Sequence, residues 1–152
     1  MSRLAMGDDD HPEAALKNLR DAQVLNDATR FDGAAYLSGY AVECSFKTIL
    51  LFQQAVDATT GAVDTSKLNT WYNKLRNKPF GHNLVNLLSE TATASGAKYV
   101  PHLPIVAAIL GWSETLRYSP AGRIEETQSR GYLASAEDVT GIVVRMKADG
   151  VL

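Results

Sequence analysis

Apolar residues are densest between Asp32 and Asp57, where they recur at helical spacing around nearly the whole circumference. Two apolar faces follow from this spacing, one with Leu37, Ala41, Cys44 and Leu51, the other with Val42, Phe46 and Ile49. Because two or more faces of such a helix must be covered by other segments, the pattern predicts a central, buried helix. Gly33 and Gly39 keep its first half slim, so another helix can approach closely there.

Glu43 and Lys47 lie inside this segment, four residues apart in the acid-before-base order that favours a helix. They share a side of the predicted helix with Tyr36 and Tyr40. Two charges at this position exclude a membrane span, since each is costly at the centre of a bilayer. We interpret Glu43 and Lys47 as a partly buried pair that fixes the helix register. The alternative is that they face a cleft, with Arg117 as its third member.

Several other segments have helical periodicity and recognisable ends. Predicted helices run from residue 10 or 11 to about 30, from 66 to 76, from about 83 to 93, from 101 or 104 to about 118, and from 135 to about 150. The cues are Pro12 in a first turn, a capping box opening at Ser135, and Gly150 at the end. No alternating strand pattern of useful length occurs. The sequence therefore predicts an all-α, up-and-down bundle of four to five core helices.

Length, net charge and cysteine content limit the class of protein. A chain of 152 residues is long enough for a single domain, which we place at residues 11–152 after a disordered leader at 1–10. A net charge of −2 provides no global basic field for duplex DNA. One cysteine, Cys44, fits a reducing cytoplasm, and the first residues lack the apolar core of a signal peptide. We interpret Asp8 to His11 as a solvated chain end rather than a metal site, and we expect no metal and no cofactor.

The motif GYAVECSFK at residues 39–47, preceded by AAYLS, resembles the signature helix of HEPN domains. GHNLVNLL at 81–88 and WSETLRYSP at 112–120 are similar to later parts of the same group. The resemblance covers almost the whole chain. It implies a HEPN-like bundle that works as a homodimer with RNA, a nucleotide or a nucleotidyltransferase-type partner. In toxin–antitoxin pairs of this kind, the HEPN member is usually the toxin.

The resemblance also implies a test for catalysis, since ribonuclease members carry an Arg followed by four to six residues and a His. Arg76 and His82 are the formal match, with five residues between them. Imidazole would act as general acid or base and guanidinium would hold the phosphate. The match lies in mid-chain, and the late region after Arg117 contains no histidine. We therefore favour His82 as a helix-start residue that caps the helix at 83–93 or packs beside Trp71.

Two basic groups carry aromatic residues between their charges, a composition suited to phosphate contact and base stacking. The first contains Lys74, Arg76, Lys78 and His82, with Trp71, Tyr72 and Phe80; the second contains Arg117, Tyr118, Arg123 and Arg130. An ordinary solvated surface is the alternative interpretation of both.

Three functions remain open at this point. The first is a HEPN-like module that binds RNA, a nucleotide or a protein partner. The second is a metal-independent endoribonuclease toxin that uses Arg76 and His82. The third is a structural dimerisation module, because excess apolar surface and the slim segment at residues 33–41 favour a homodimer.

Overall fold

The structure is a computed structural model that describes residues 1–93, 99–101 and 106–152. Over these ranges the chain is all-helical, with five α-helices, two short 3₁₀ helices and no strand. The α-helices are α1 (His11–Asp27), α2 (Phe31–Ala55), α3 (Thr65–Arg76), α4 (Leu84–Thr93) and α5 (Glu126–Ala148). The 3₁₀ helices are Ala107–Ile109 and Glu114–Tyr118. The predicted all-α class is confirmed.

Helix α2 lies at the centre and contacts each of the other four α-helices. Sixteen of its 25 residues are buried, which is more than one apolar face can supply. The apolar residues of α2 point to several sides, and neighbouring segments on those sides bury them. This burial stabilises the fold by roughly 1.5–3 kcal/mol for each large side chain. The prediction of a central buried helix is confirmed.

The turn between α1 and α2 is short because α1 ends in a Schellman motif. The Arg30 N–H bonds the Leu25 carbonyl at 2.8 Å, and Thr29 takes the left-handed position with φ of 57°. Glycine is the usual residue at this position, as at Gly150 after α5, where φ is 70°. The turn places Arg30 directly before α2.

Side chains cap the start of three of the five described α-helices. The Asp10 side chain accepts the Glu13 N–H at 3.3 Å, and the Asp64 side chain accepts the Lys67 N–H at 3.0 Å. Asparagine 83, rather than His82, begins α4, since its side chain accepts the Asn86 N–H at 2.9 Å. These carboxylate and amide caps satisfy N–H groups that have no partner inside the helix.

The predicted helix from residue 101 or 104 to 118 is not continuous in its described part. Residues 102–105, including Pro104, lie outside the described residues, Val106 is α-helical, and the two 3₁₀ helices Ala107–Ile109 and Glu114–Tyr118 are separated by the turn at residues 110–113. Gly111 weakens helix propagation there, and Ser113 caps the second 3₁₀ helix by accepting the Thr115 N–H at 3.2 Å. Side-chain periodicity alone did not reveal this interruption.

Helix α5 begins at Glu126, nine residues before the predicted start at residue 135. Ser135 does not cap it. Instead, its hydroxyl donates back to the Gly131 carbonyl at 3.1 Å inside the helix. The polar sequence of the first two turns gave no periodic signal because much of it faces water.

Residues 1–10, for which the sequence predicts a disordered leader, pack against the bundle. Leu4 is fully buried in the core, and the Tyr72 hydroxyl of α3 donates to its carbonyl at 2.8 Å. The Ser2 N–H also bonds the Asp10 carboxylate at 2.6 Å. The sequence predicts disorder here because polar residues predominate in the segment. The structure differs because its one leucine, Leu4, is buried in the hydrophobic core.

None of the described helices combines the length and apolar character required to cross a bilayer.

Candidate functional site

A cavity of about 680 Å³ lies where the loop after α3, the start of α4 and the segment around Trp112 meet. Asn77 ends α3, and Pro79 prevents the next residues from continuing it. The loop consequently turns several polar side chains toward one space. The ionisable lining residues are Arg76, Lys78, His82 and Glu114, and Asn83 and Asn86 add amide groups.

His82 is held by a carboxylate from the central helix. Its Nδ1 lies 2.8 Å from Glu43 Oε2, while the other Glu43 oxygen receives the Lys47 ammonium at 2.7 Å. Glu43 and Lys47 are almost completely buried, whereas 45% of the His82 side chain is exposed. Because an ionised carboxylate only accepts hydrogen bonds, Nδ1 is the donor, which leaves Nε2 as the acceptor of the neutral ring.

The predicted pair of Glu43 and Lys47 therefore exists as an ion pair, at the i,i+4 spacing that the sequence indicates. Its third member is His82 and not Arg117. Tyr40, one turn before Glu43, packs edge-on against the His82 ring with centroids 5.7 Å apart. Glu43 and Tyr40 together orient the imidazole toward the cavity.

Arg76 lies on the same cavity as His82 and is engaged by Asp9 of the N-terminal segment. The hydrogen bond between the two side chains is the main reason that the pKa of the Asp9 carboxyl lies below its ordinary value and that the pKa of Arg76 is raised. More than half of the Arg76 side chain is exposed. Arg76 and His82 therefore line the same cavity, and each contacts a carboxylate, Asp9 for Arg76 and Glu43 for His82.

Lys74 faces a smaller cavity of about 250 Å³ on the other side of the same loop. Its ammonium lies 4.5 Å above the Trp71 ring, a cation–π contact. The Trp71 and Phe80 rings are 6.3 Å apart, and Lys78 lines both cavities. The first basic group of the sequence is therefore a real cluster around residues 74–82.

The second basic group lies elsewhere. Arg117 lines a cavity of about 640 Å³ beside the start of α2, and its guanidinium is 4.8 Å from the Tyr118 ring centre. Tyr118 is 76% exposed, and Arg123 lines a separate cavity of about 150 Å³. The sequence-predicted binding residues are thus divided between two regions, and neither Arg117 nor Arg123 lines the cavity of His82.

Tyr40 and Trp112 are site residues that the sequence did not single out as such. The Trp112 ring packs edge-on against Tyr40, with centroids 5.1 Å apart, and rests on Gly39. A Cβ at Gly39 would lie 2.0 Å from that ring. The signal in the sequence was Gly39 of the GYAVEC motif, because a glycine in a helix indicates that another segment can approach closely. It does not identify that segment.

Two further ionisable side chains, outside this cavity, have shifted pKa values: Cys44 is buried and His11 is half-buried. Burial, and next the charge of Glu43, raise the pKa of the Cys44 thiol to about 12, which keeps it protonated and unreactive. Burial and the nearby Lys47 ammonium lower the pKa of His11 to about 4, and its ring stacks on Tyr72. Across the described ranges, no group of three or more His, Cys, Asp and Glu side chains is arranged to hold a metal ion.

No family model, no curated protein and no solved structure matches this chain.

Proposed function

We propose that this chain is a HEPN-like helical module that binds the phosphate groups of RNA or of a nucleotide in the 680 Å³ cavity. The observation that carries the proposal is the His82 imidazole, fixed by buried Glu43 and directed into a cavity that also receives Arg76 and Lys78. A fixed imidazole with two cationic neighbours is suited to a phosphate diester.

Lys78 supplies the charge that a phosphate would meet without competition. In the part of the chain that the structure describes, Lys78 forms no ion pair, whereas Arg76 would exchange Asp9 for a phosphate oxygen. The aromatic pair Trp71 and Phe80 lies directly behind the Lys78 loop and offers faces on which a base can stack. The arrangement supports local recognition, in keeping with an overall charge of −2.

The test is binding of fluorescently labelled single-stranded RNA, followed by anisotropy at increasing salt. Lys78→Ala and Arg76→Ala should each weaken binding by about tenfold and flatten the salt dependence. Lys67→Ala is the matched control, because Lys67 is also exposed on α3 but pairs with Asp64 away from the cavity. Equal binding by all four proteins would contradict the proposal.

A second candidate function is metal-independent cleavage of RNA, and the Glu43–His82 hydrogen bond favours it. Nε2 of the neutral ring can remove the proton of a 2′-hydroxyl, while the carboxylate stabilises the imidazolium that results. Cleavage of labelled RNA in EDTA should then fall by about 100-fold or more in His82→Gln, a much larger loss than the roughly tenfold weakening of RNA binding expected when one binding contact is removed. Binding without any cleavage by the wild type would leave the module a binding protein.

His82→Gln is preferable to a change at Glu43 in this assay. Removing the Glu43 charge would leave the buried Lys47 ammonium without its partner, at a cost of about 3–5 kcal/mol. Loss of cleavage in Glu43→Gln would therefore not separate catalysis from unfolding. The exposed edge of His82 tolerates a polar replacement better.

A homodimer and a nucleotidyltransferase-type partner, as in toxin–antitoxin pairs, complete the proposal. Both are supported by the family resemblance alone, because the slim start of α2 is covered within the chain by Leu25 and Trp112. Light scattering after size exclusion distinguishes a dimer from a monomer. A dimer without RNA binding would favour the third function, a structural dimerisation module.

A further inference from the structure

The cavity of about 640 Å³ at the start of α2 shares no lining residue with the cavity of His82. Its walls come from the end of α1, the first turn of α2 and the segment at residues 116–124. It is therefore a separate space, and the proposed RNA site leaves it unused.

Two arginines, Arg30 and Arg117, line this cavity, and neither forms an ion pair with a carboxylate among the residues described. Arg117 instead interacts with the Tyr118 ring and with Tyr36, and Tyr118 first, then Tyr36, raise the pKa of the guanidinium. Asp32 is the one carboxylate among the lining residues, and both its oxygens are occupied. They accept the Gly122 N–H at 2.6 Å and the Ile124 N–H at 2.8 Å.

Asp32 thus ties the 116–124 segment to α2 and shapes the wall, while the two guanidinium groups stay available. The hydroxyls of Thr29, Tyr36 and Ser119 add polar contacts. Apolar side chains complete the lining: Leu25, Phe31, Leu116 and Ile124. Two guanidinium groups and several apolar side chains around one cavity match an anionic head group attached to an organic body.

We propose that this cavity binds an organic phosphate monoester, with the phosphate between Arg30 and Arg117 and the organic part against Leu25 and Phe31. Guanidinium groups hold phosphate oxygens in pairs, and two unpaired guanidinium groups match a dianion in charge. The first turn of α2 adds to the positive potential but is not the basis of the site. A nucleoside monophosphate and an alkyl phosphate share this chemistry.

Isothermal titration calorimetry with three probes tests the assignment: inorganic phosphate, adenosine monophosphate and hexyl phosphate. At least one ester should bind more tightly than inorganic phosphate. Arg30→Ala and Arg117→Ala should each weaken ester binding by about tenfold or more, because each removes a charge-assisted contact. Tighter binding of the nucleotide would identify a nucleotide site, and tighter binding of hexyl phosphate a site for a lipid-type ester.

Arg145→Ala is the matched control, since Arg145 is exposed on α5 and does not line the cavity. Lys78→Ala separates the two sites: binding that it weakens belongs to the cavity of His82, and ester binding that Arg30→Ala or Arg117→Ala weakens belongs to this cavity, so the two proposals fail or stand separately. Thermal unfolding of each variant verifies the fold. Absence of saturable ester binding, equal affinity for inorganic phosphate and the esters, or insensitivity to both arginine variants would overturn the site.

Discussion

At the scale of single residues, burial decides which ionisable groups are available for chemistry. The raised pKa of the Cys44 thiol and the lowered pKa of the His11 imidazole keep both groups uncharged at neutral pH. His82 has the opposite environment, with one nitrogen bonded to a buried carboxylate and nearly half of the side chain exposed. Of the histidines that the structure describes, His82 is consequently the one suited to contact a ligand.

The depressed pKa of His11 predicts a loss of stability at mildly acidic pH. The unfolded chain takes up a proton near the ordinary histidine pKa of about 6.5, but the folded chain only near 4. The free energy of unfolding should therefore fall by about 2 kcal/mol between pH 7 and pH 5, and level off below 4 as far as His11 is concerned. Asp9 and Asp10, with pKa values below 3.8, act only at lower pH.

Urea unfolding of the wild type and of His11→Gln at pH 7 and pH 5 measures this term. The variant should be less stable at pH 7, because the stacking on Tyr72 is changed, but should lose about 2 kcal/mol less on acidification. Parallel losses in both proteins would show that His11 is not the titrating group.

At the scale of elements, α2 organises the molecule because its two halves have different neighbours. In the second half, residues 43 to 51 are buried without interruption, while the first half places Tyr36 beside Arg117 and Tyr40 against Trp112. Gly39 permits the Trp112 ring to lie directly on the α2 backbone. The glycine therefore positions the edge of the His82 cavity through Trp112 and Tyr40.

Gly39→Ala should destabilise the fold by about 1–3 kcal/mol or more, because the new methyl group displaces a buried ring. Gly141→Ala in α5 is the contrasting variant: no atom lies within 4 Å of the added Cβ, and stability should rise by about 0.5–1 kcal/mol. Urea unfolding measures both. A Gly39→Ala protein as stable as the wild type would place Trp112 elsewhere.

At the scale of the whole molecule, segments without regular structure complete the bundle. Residues 1–10 lie against α3 through Leu4 and the contact of Asp9 with Arg76. Residues 106–124 cover the first half of α2 and border both large cavities. The candidate sites therefore lie largely on loops that the helices hold in place, as binding sites in proteins often do.

Leu4→Ala should lower the free energy of unfolding by about 2–5 kcal/mol, because a fully buried leucine leaves a cavity. Met1→Ala is the control; its side chain is 94% exposed and the change should cost less than about 0.5 kcal/mol. The difference between them measures how firmly the N-terminal segment is packed. Equal stability of the two variants would support the disordered leader that the sequence predicts.

The sequence by itself determined the helical class, the central position of α2, the ion pair of Glu43 with Lys47, and the glycine that follows α5. These features depend on contacts within one helix or on the total apolar content of a segment, and both are readable at a spacing of three or four residues. The early start of α5 escaped detection because its first turns are polar and exposed.

Only the tertiary structure decided the partners of these residues. It placed His82 on Glu43, 39 positions away in sequence, Trp112 on Gly39, and Leu4 under Tyr72. It also separated Arg117 from Arg76, which sequence composition alone cannot do. Contacts between distant segments depend on how helices pack and where loops turn, so local periodicity carries no record of them.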